Sequence, residues 1–262
     1  MSLCSSRPSS LLFAGFLSPV LALLTLSSPA GAQLSPSMEV SLKFPKTQDR
    51  GAPSRTTAAG SRNDQCVAPE ETPLTAFMPR NNVGTTVSAN PDIFVYVPPT
   101  KAQTAELLII DPENEEEIYS ETLTLSNTSG VMQLTLPATV NLEVGKEYRW
   151  AFSLICDAQR RDSDLYVIGL LYRTSLSPDI ERQLVQASSS LEKARIYANE
   201  GIWTEMVSLL APLKQSHPQE WREVLQSVQL QQMVQVPVHL SWRCQKTLNF
   251  IDGMNCHNVT TP

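Results

Sequence analysis

The chain has 262 residues, a hydrophobic content of 42% and a formal net charge of −6. That length can hold one large or two small domains, and the hydrophobic content is ordinary for a globular protein. Proteins that bind nucleic acid concentrate basic side chains against phosphate, so the acidic excess excludes nucleic acid as the expected partner.

Residues 1–32 have the three parts of a secretory signal peptide. Arg7 is basic, an apolar run covers residues 11–26, and Ala30-Gly31-Ala32 supplies small residues for cleavage. A transmembrane anchor is the alternative, but Pro19 interrupts a run already short of the roughly 20 apolar residues that cross a bilayer. We therefore expect an exported protein, periplasmic or extracellular, with no transmembrane segment once the signal is removed.

The next segment, residues 33–73, is rich in Pro, Ser and Thr and poor in aromatic residues, which predicts a linker. Its basic residues are few and scattered: Lys43, Lys46, Arg50, Arg55 and Arg62. The end of the linker is expected to dock on the following domain if Cys66 is bridged. The alternative is a basic arm that touches anionic envelope material.

Residues 74–176 consist of short strand-like runs separated by turn residues, with no helical pattern between them. The runs cover residues 85–89, 93–97, 105–111, 117–125, 131–136, 148–156 and 165–174. This succession predicts an antiparallel β-sandwich of about 100 residues.

The run that begins at Tyr148 is the clearest strand. Apolar residues alternate along it: Tyr148, Trp150, Phe152, Leu154 and Cys156. One face of the strand is therefore expected in a core. Leu142, Gly145 and Tyr148 have the spacing of the tyrosine corner in immunoglobulin-like or fibronectin-like sandwiches, where the Tyr hydroxyl bonds upstream backbone. We predict structural roles for Tyr148 and Trp150, with Trp150 in the core.

Residues 177–230 change to a helical period. Ser177 with Pro178 forms a helix start, Ser189 with Glu192 forms a capping box, and Pro218 opens a further helix. Several residues fall at the spacing of one tetratricopeptide-like repeat: Ala194, Tyr197, Gly201, Leu210, Leu213 and Pro218. Because one repeat cannot form a solenoid, we expect a small helical hairpin domain packed against the sandwich.

Four cysteines follow the signal peptide: Cys66, Cys156, Cys244 and Cys256. An even set in an exported chain predicts disulfides, and of the three possible connectivities we favour Cys66–Cys156 and Cys244–Cys256. Cys244 and Cys256 with His257 match no zinc spacing, so neither a metal nor a cofactor is predicted. The second pair lies in residues 231–262, which are weakly patterned and predicted to be an irregular tail.

The usual catalytic motifs are missing from the sequence. It contains no Gly-x-Ser-x-Gly, no His-Glu-x-x-His, no phosphate-binding glycine loop and no dinucleotide fingerprint. Acidic residues cluster at 111–117 and at Asp157, Asp162 and Asp164. Neither cluster has the alternation and glycine of a calcium loop, so both are interpreted as solvated turns.

Several segments together suggest a family. They are Arg50-Gly51-Ala52-Pro53 with Cys66, Leu74-Thr75-Ala76-Phe77-Met78-Pro79, Ile93-Phe94-Val95-Tyr96-Val97-Pro98, Tyr148-Arg149-Trp150 to Cys156, residues 194–203, and Leu225-Gln226-Ser227-Val228. In this order they resemble a cyanobacterial family of exported proteins known as a domain of unknown function, numbered 928. The resemblance covers roughly residues 50–230. That family carries no assigned activity, so the resemblance implies no catalytic residues.

The sequence thus predicts an α+β, mainly β, protein in which the sandwich precedes the helical hairpin. We expect a non-enzymatic binding or interaction module of the periplasm or envelope, with another envelope protein or a cell-wall component as partner. The alternative is a carboxylate-dependent hydrolase that uses Asp157, Asp162 and Asp164 on envelope polysaccharide or peptide. The oligomeric state is left open.

Overall fold

The computed structural model describes residues 41–47, 50, 66–125, 129–244 and 256–258, and for 241–244 and 256–258 the backbone alone. The chain divides into two compact units, Met1–Glu39 and Val40–Pro262. The first unit, which contains the predicted signal peptide 1–32, lies outside the described residues. Within the described part of the second unit, no helix has the length and apolar character needed to cross a bilayer.

The described residues form ten strands and four α-helices, a mixed α+β protein that is mainly β. The strands are β1 (Thr75–Ala76), β2 (Val83–Thr86), β3 (Asp92–Val97), β4 (Thr104–Asp111), β5 (Glu116–Thr124), β6 (Gly130–Thr135), β7 (Glu147–Ile155), β8 (Leu165–Arg173), β9 (Val238–Cys244) and β10 (Cys256–Asn258). The helices are α1 (Pro178–Gln186), α2 (Ser190–Asn199), α3 (Trp203–Leu210) and α4 (Pro218–Ser227).

The strands form two five-stranded sheets. Sheet 1 has the order β1-β3-β6-β9-β10, and sheet 2 has the order β2-β8-β7-β4-β5. Most neighbours are antiparallel, but β2–β8 and β6–β9 are parallel pairs. The expectation of an antiparallel sandwich over residues 74–176 is therefore wrong for the β2–β8 pair. Parallel neighbours need long crossover connections, and here the partners are far apart in the chain.

The predicted alternation of β7 places its apolar side chains between the two sheets. Tyr148, Trp150, Phe152 and Leu154 are all buried there. They pack with buried residues of the facing strands, including Val95 and Met132 of sheet 1. We call this cluster the inter-sheet core.

Strand β3 is buried on both faces. Ile93, Val95 and Val97 belong to the inter-sheet core, whereas Phe94 and Tyr96 belong to a second cluster formed with the helices. We call the second cluster the helix-side core. Sheet 1 is thus the middle of three layers. Because both faces of β3 are buried, its sequence is a continuous apolar run rather than an alternation of apolar and polar residues.

This shared packing joins the β region 74–176 to the helical region 177–230. Phe94 and Val131 of the β region pack in one cluster with Trp203, Trp221 and Leu225 of the helices. The outer face of sheet 1 thus completes the core in which the helices bury their apolar faces.

The helix starts agree with the sequence. The Ser177 hydroxyl accepts a hydrogen bond from the Ile180 amide at 3.4 Å, and the Ser189 hydroxyl accepts one from the Glu192 amide at 3.1 Å. Pro218 occupies the first position of α4. These caps depend on a few adjacent residues, which is why local sequence predicted them.

The C-terminal region differs from the irregular tail expected for residues 231–262. Val238–Cys244 adds to sheet 1 as a parallel neighbour of β6, and Cys256–Asn258 pairs with it in turn. The strand was missed because its partner lies more than a hundred residues earlier in the chain. Cys244 and Cys256 are directly opposite in register. Their side chains lie outside the described set, so their disulfide stays a prediction.

Candidate functional site

The predicted pairing of Cys66 with Cys156 is confirmed: the two form a disulfide with a Cα–Cα distance of 5.3 Å. Cys66 precedes β1, and Cys156 follows the last residue of β7. The carbonyl of Cys66 also accepts hydrogen bonds from the Lys101 amide at 2.9 Å and the Thr100 hydroxyl at 2.8 Å. The start of the sandwich is therefore fixed to the end of its central strand.

Both residues predicted to be structural lie in the inter-sheet core. The Tyr148 hydroxyl accepts a hydrogen bond from the Glu143 amide at 3.0 Å, the upstream backbone contact that the sequence spacing predicted. Trp150 is fully buried and lies opposite Gly169 of β8 in register. A Cβ atom on Gly169 would lie 2.6 Å from the Trp150 Nε1 atom, so glycine is required for the indole to fit.

The acidic residues after β7 form ion pairs rather than a catalytic pair. Asp157 pairs with Arg160 at 2.9 Å, and Asp164 pairs with Arg161 at 2.5 Å. The hydrogen bond from Arg160 lowers the pKa of the Asp157 carboxyl below its ordinary value. Asp162 is exposed. These ion pairs hold the loop that follows β7, and the lowered pKa of Asp157 is the opposite of what a general acid requires.

Part of the predicted linker is well packed. Leu42 and Phe44 are only 2% and 4% exposed in the helix-side core, and the Phe44 ring meets Trp203 edge-on at 5.0 Å. The Leu42 amide donates to Glu223 Oε2 at 2.8 Å, and the Phe44 amide donates to Ser227 Oγ at 3.0 Å. We call residues 41–47 the arm. The composition of residues 33–73 could not predict that the arm is packed, because the packing depends on only two apolar residues, Leu42 and Phe44.

A cleft of about 290 Å³, which we call the junction cleft, lies where three parts of the protein meet. The arm, the β2–β8 edge of sheet 2 and the C-terminal end of α2 form its walls. Its lining includes Lys46, Arg50, Thr85, Tyr172, Asn199 and Glu200. Concave sites with a few convergent polar groups are where ligands usually bind.

Two contacts fix the rim of this cleft. The Arg50 guanidinium carbon lies 3.5 Å from the centre of the Tyr172 ring, and Arg50 Nη1 lies 2.8 Å from Glu147 Oε1. On the other wall, Gly201 has φ +69°, and a Cβ atom there would lie 3.1 Å from Thr47 Cγ2. The glycine thus ends α2 and also lets the arm approach closely.

Glu205 of α3 supports the same region from inside. Its Oε1 atom accepts hydrogen bonds from the Thr86 hydroxyl at 2.7 Å and from the amides of Val87 at 2.9 Å and Ser88 at 3.0 Å. Burial raises the pKa of the Glu205 carboxyl, and its Oε2 atom has no hydrogen-bond partner in the described structure. Sequence analysis missed Glu205, because a single acid in a helix gives no signal of burial.

These features define a mainly β protein with a helical layer. The arm, the β2–β8 edge of sheet 2 and the end of α2 form the walls of its polar junction cleft. Residues 57–238 match the model of a family described as Domain of Unknown Function (DUF928). The match covers more than half of the chain, so the protein belongs to this family. A search of curated proteins finds no match. The arm lies before the matched region, and β9 begins at its last residue.

Proposed function

We propose that the protein is an exported, non-enzymatic interaction module of the periplasm or cell envelope. Its partner is another envelope protein or a cell-wall component, in a cyanobacterium as the resemblance implies. The observation that carries the proposal is the junction cleft, which combines cationic Lys46 with the carboxamide and carboxylate of Asn199 and Glu200. Such a lining offers both donors and acceptors to a polar ligand.

The state of the acidic residues favours binding over hydrolysis. Paired-carboxylate catalysis needs one carboxyl with a raised pKa close to the reacting bond. Asp157 has a lowered pKa beside Arg160. Glu205 has a raised pKa, but its Oε1 atom is occupied by the hydrogen bonds that hold the residues after β2. The disulfide between Cys66 and Cys156 supports an oxidising compartment.

We also propose that the two sheets form an immunoglobulin-like sandwich, which the strand order supports. Immunoglobulin-like sandwiches place strands A, B and E in one sheet and strands C, F and G in the other, with C′ beside C in variable-type domains. Here β1, β3 and β6 lie in sheet 1, and β5, β4, β7 and β8 are neighbours in sheet 2. The tetratricopeptide-like similarity falls on α2 and α3, which pack against each other.

The proposal is tested by capture of partners from an envelope fraction with the full-length chain as bait. Deleting residues 177–230 would remove most of the helix-side core, so substitutions are needed instead. Asn199→Ala with Glu200→Ala changes two exposed residues of the cleft and should abolish partner retention. Asp162→Asn, at an exposed residue of the acidic loop, is the matched control and should retain the partner.

Two outcomes contradict the proposal in different ways. Equal retention of partners by wild type and the Asn199/Glu200 variant excludes the junction cleft as the binding site. Turnover of an envelope polysaccharide or peptide that is lost in an Asp157→Asn variant, with partner retention unchanged, supports the hydrolase instead.

A further inference from the structure

Strand β2 is the last strand at one edge of sheet 2 and lies next to β8. The two strands are parallel, and alternate residues along a strand direct their backbone groups toward the same neighbour. The Leu170 amide donates to the Asn82 carbonyl at 3.0 Å. The Thr174 amide likewise donates to the Thr86 carbonyl at 2.8 Å. The even-numbered residues along β2 therefore bond β8, whereas the odd-numbered residues direct their amides and carbonyls toward the open edge.

Side chains close the two ends of this open edge and leave Thr85 between them. The Val83 amide donates to Asn81 Oδ1 at 3.4 Å. The Val87 amide, directly after the strand, donates to Glu205 Oε1 at 2.9 Å. Within the part of the chain that the structure describes, neither the amide nor the carbonyl of Thr85 has a hydrogen-bond partner. Thr85 is thus a residue whose two backbone groups are both open at this edge.

The junction cleft lies beside this open position. Thr85 is only partly buried and lines the cleft, whose volume is about 290 Å³. The Asn81 Nδ2 atom donates to Thr47 Oγ1 at 2.8 Å, so the arm lies at the Asn81 end of the edge. Gly201 and Ile202 line the cleft as well. A strand added to a sheet lies about 4.8 Å from its neighbour, and the cleft provides open space on that side of β2.

The two edges of sheet 2 differ in charge. At the opposite edge, β5 carries Glu116, Glu117 and Glu121, and charged side chains on an edge strand oppose the addition of another strand. The sequence of β2 is Val83-Gly84-Thr85-Thr86, which contains no charge. The β2 edge can therefore accept a ligand backbone, and its closed ends limit the pairing to the region of Thr85.

We propose that the junction cleft binds an extended peptide segment of its partner protein. The Thr85 amide and carbonyl pair with the backbone of one residue of that segment, as in strand addition to an open sheet edge. Main-chain hydrogen bonds supply affinity, and the opposite charges of Lys46 and Glu200 select side chains of the segment. This inference rests on the proposed binding role of the junction cleft and narrows the partner to a protein.

The first test needs no ligand. Amide hydrogen exchange of the full-length, nitrogen-15-labelled chain is followed by nuclear magnetic resonance. The Thr85 amide should exchange roughly tenfold faster or more than the amides of Gly84 and Thr86, which point toward β8. Equal protection of all three amides would overturn the proposal, because the Thr85 amide would then already have a partner.

The second test uses a probe peptide selected on the full-length chain from a library of short random peptides displayed on phage. The affinity of the synthetic probe is measured for the wild type, Thr85→Pro and Thr85→Val. Thr85→Pro removes the open amide and no bond to β8, and edge strands tolerate proline at such positions. It should weaken binding by about tenfold or more. Thr85→Val keeps the amide and should bind the probe more tightly than Thr85→Pro does.

A change in the probe controls for misfolding of the proline variant. With the wild-type chain, each amide of the probe in turn is replaced by an ester, which removes one N–H donor. Replacement at the residue that pairs with Thr85 should weaken binding by about tenfold. The proposal is overturned if no ester replacement weakens binding, or if no selected peptide binds the wild type more tightly than Thr85→Pro.

Capture from the envelope fraction separates failure of this inference from failure of the proposed function. Loss of the partner by the Asn199/Glu200 variant and by Thr85→Pro supports both. Loss by the Asn199/Glu200 variant alone overturns the peptide pairing and leaves the proposed function intact. Retention by both variants excludes the junction cleft as the binding site and overturns both.

Discussion

The indole nitrogen of Trp203 donates a hydrogen bond to the carbonyl oxygen of Phe77 at 3.0 Å. Trp203 begins α3, and Phe77 directly follows β1, so this buried bond joins the helical layer to sheet 1. The Phe77 amide in turn donates to the Phe94 carbonyl of β3 at 3.0 Å. We therefore expect the helices and the sheets to unfold together.

Trp203→Phe should lower the free energy of unfolding by about 2–4 kcal/mol, because it leaves a buried carbonyl unpaired and creates a cavity. Urea unfolding followed by far-UV circular dichroism and by tryptophan fluorescence should give coincident transitions. Val185→Ala, at a residue 86% exposed, is the control and should change little. Two separate transitions would show that the helices form an independent domain.

Cys66→Ser combined with Cys156→Ser should lower the free energy of unfolding by about 3–5 kcal/mol. The disulfide joins residues 90 positions apart, so its loss restores much conformational freedom to the unfolded chain. Denaturant unfolding of the oxidised wild type and the double variant measures the difference. Peptide mapping of exported protein that finds both thiols free would remove the basis of this prediction.

Tyr148→Phe removes the hydroxyl that accepts a hydrogen bond from the Glu143 amide. We expect a loss of about 0.5–1.5 kcal/mol. The lower end is favoured because Glu143 is exposed, so its amide can bond water instead. Thermal unfolding of the two proteins provides the measurement, with partner retention expected to stay unchanged. Identical melting temperatures would argue against a structural role for the hydrogen bond between the Glu143 amide and the Tyr148 hydroxyl.

Glu205 should make stability depend on pH. Because burial raises the pKa of its carboxyl in the folded state, the folded protein binds this proton more tightly than the unfolded chain does. The associated stability is fully present below the unfolded pKa and is lost as pH rises through the folded pKa. The melting temperature of wild type relative to Glu205→Gln should therefore fall as pH rises above 4.5, the ordinary pKa of this carboxyl. Parallel profiles for the two proteins would refute this assignment.

Gly169→Ala should destabilise the inter-sheet core, because the added Cβ would lie 2.6 Å from Trp150 Nε1. Overpacking of this kind costs about 1–3 kcal/mol. Gly84→Ala is the matched control, since its nearest neighbour is the flexible methyl group of Met78 at 3.0 Å. Chemical denaturation should rank Gly169→Ala as clearly less stable than Gly84→Ala.

The features that sequence predicted correctly depend on local patterns. Alternation along β7 identified a strand with one buried face, and the capping residues Ser177 and Ser189 marked helix starts within a few positions. The bond from the Glu143 amide to Tyr148 spans only five residues. Each of these signals is contained in a window shorter than about ten residues, where periodicity and propensity are informative.

The features that sequence missed depend on contacts between distant parts of the chain. The arm is ordered by α4, which lies some 180 residues later. Strand β9 forms by pairing with β6. The junction cleft exists only where the arm, the β2–β8 edge of sheet 2 and the end of α2 come together. A composition window over residues 33–73 averages Leu42 and Phe44 with many polar neighbours, so their burial could not be seen.

The burial of β3 on both faces has a consequence before folding is complete. Ile93-Phe94-Val95-Tyr96-Val97 is an uncharged run with high strand propensity, the type of segment that self-associates into aggregates when exposed. Asp92 precedes it, and Pro98-Pro99 follows it. A charge and two prolines at its borders oppose such association in the newly made chain, so these three residues protect solubility during the time before the helices cover sheet 1.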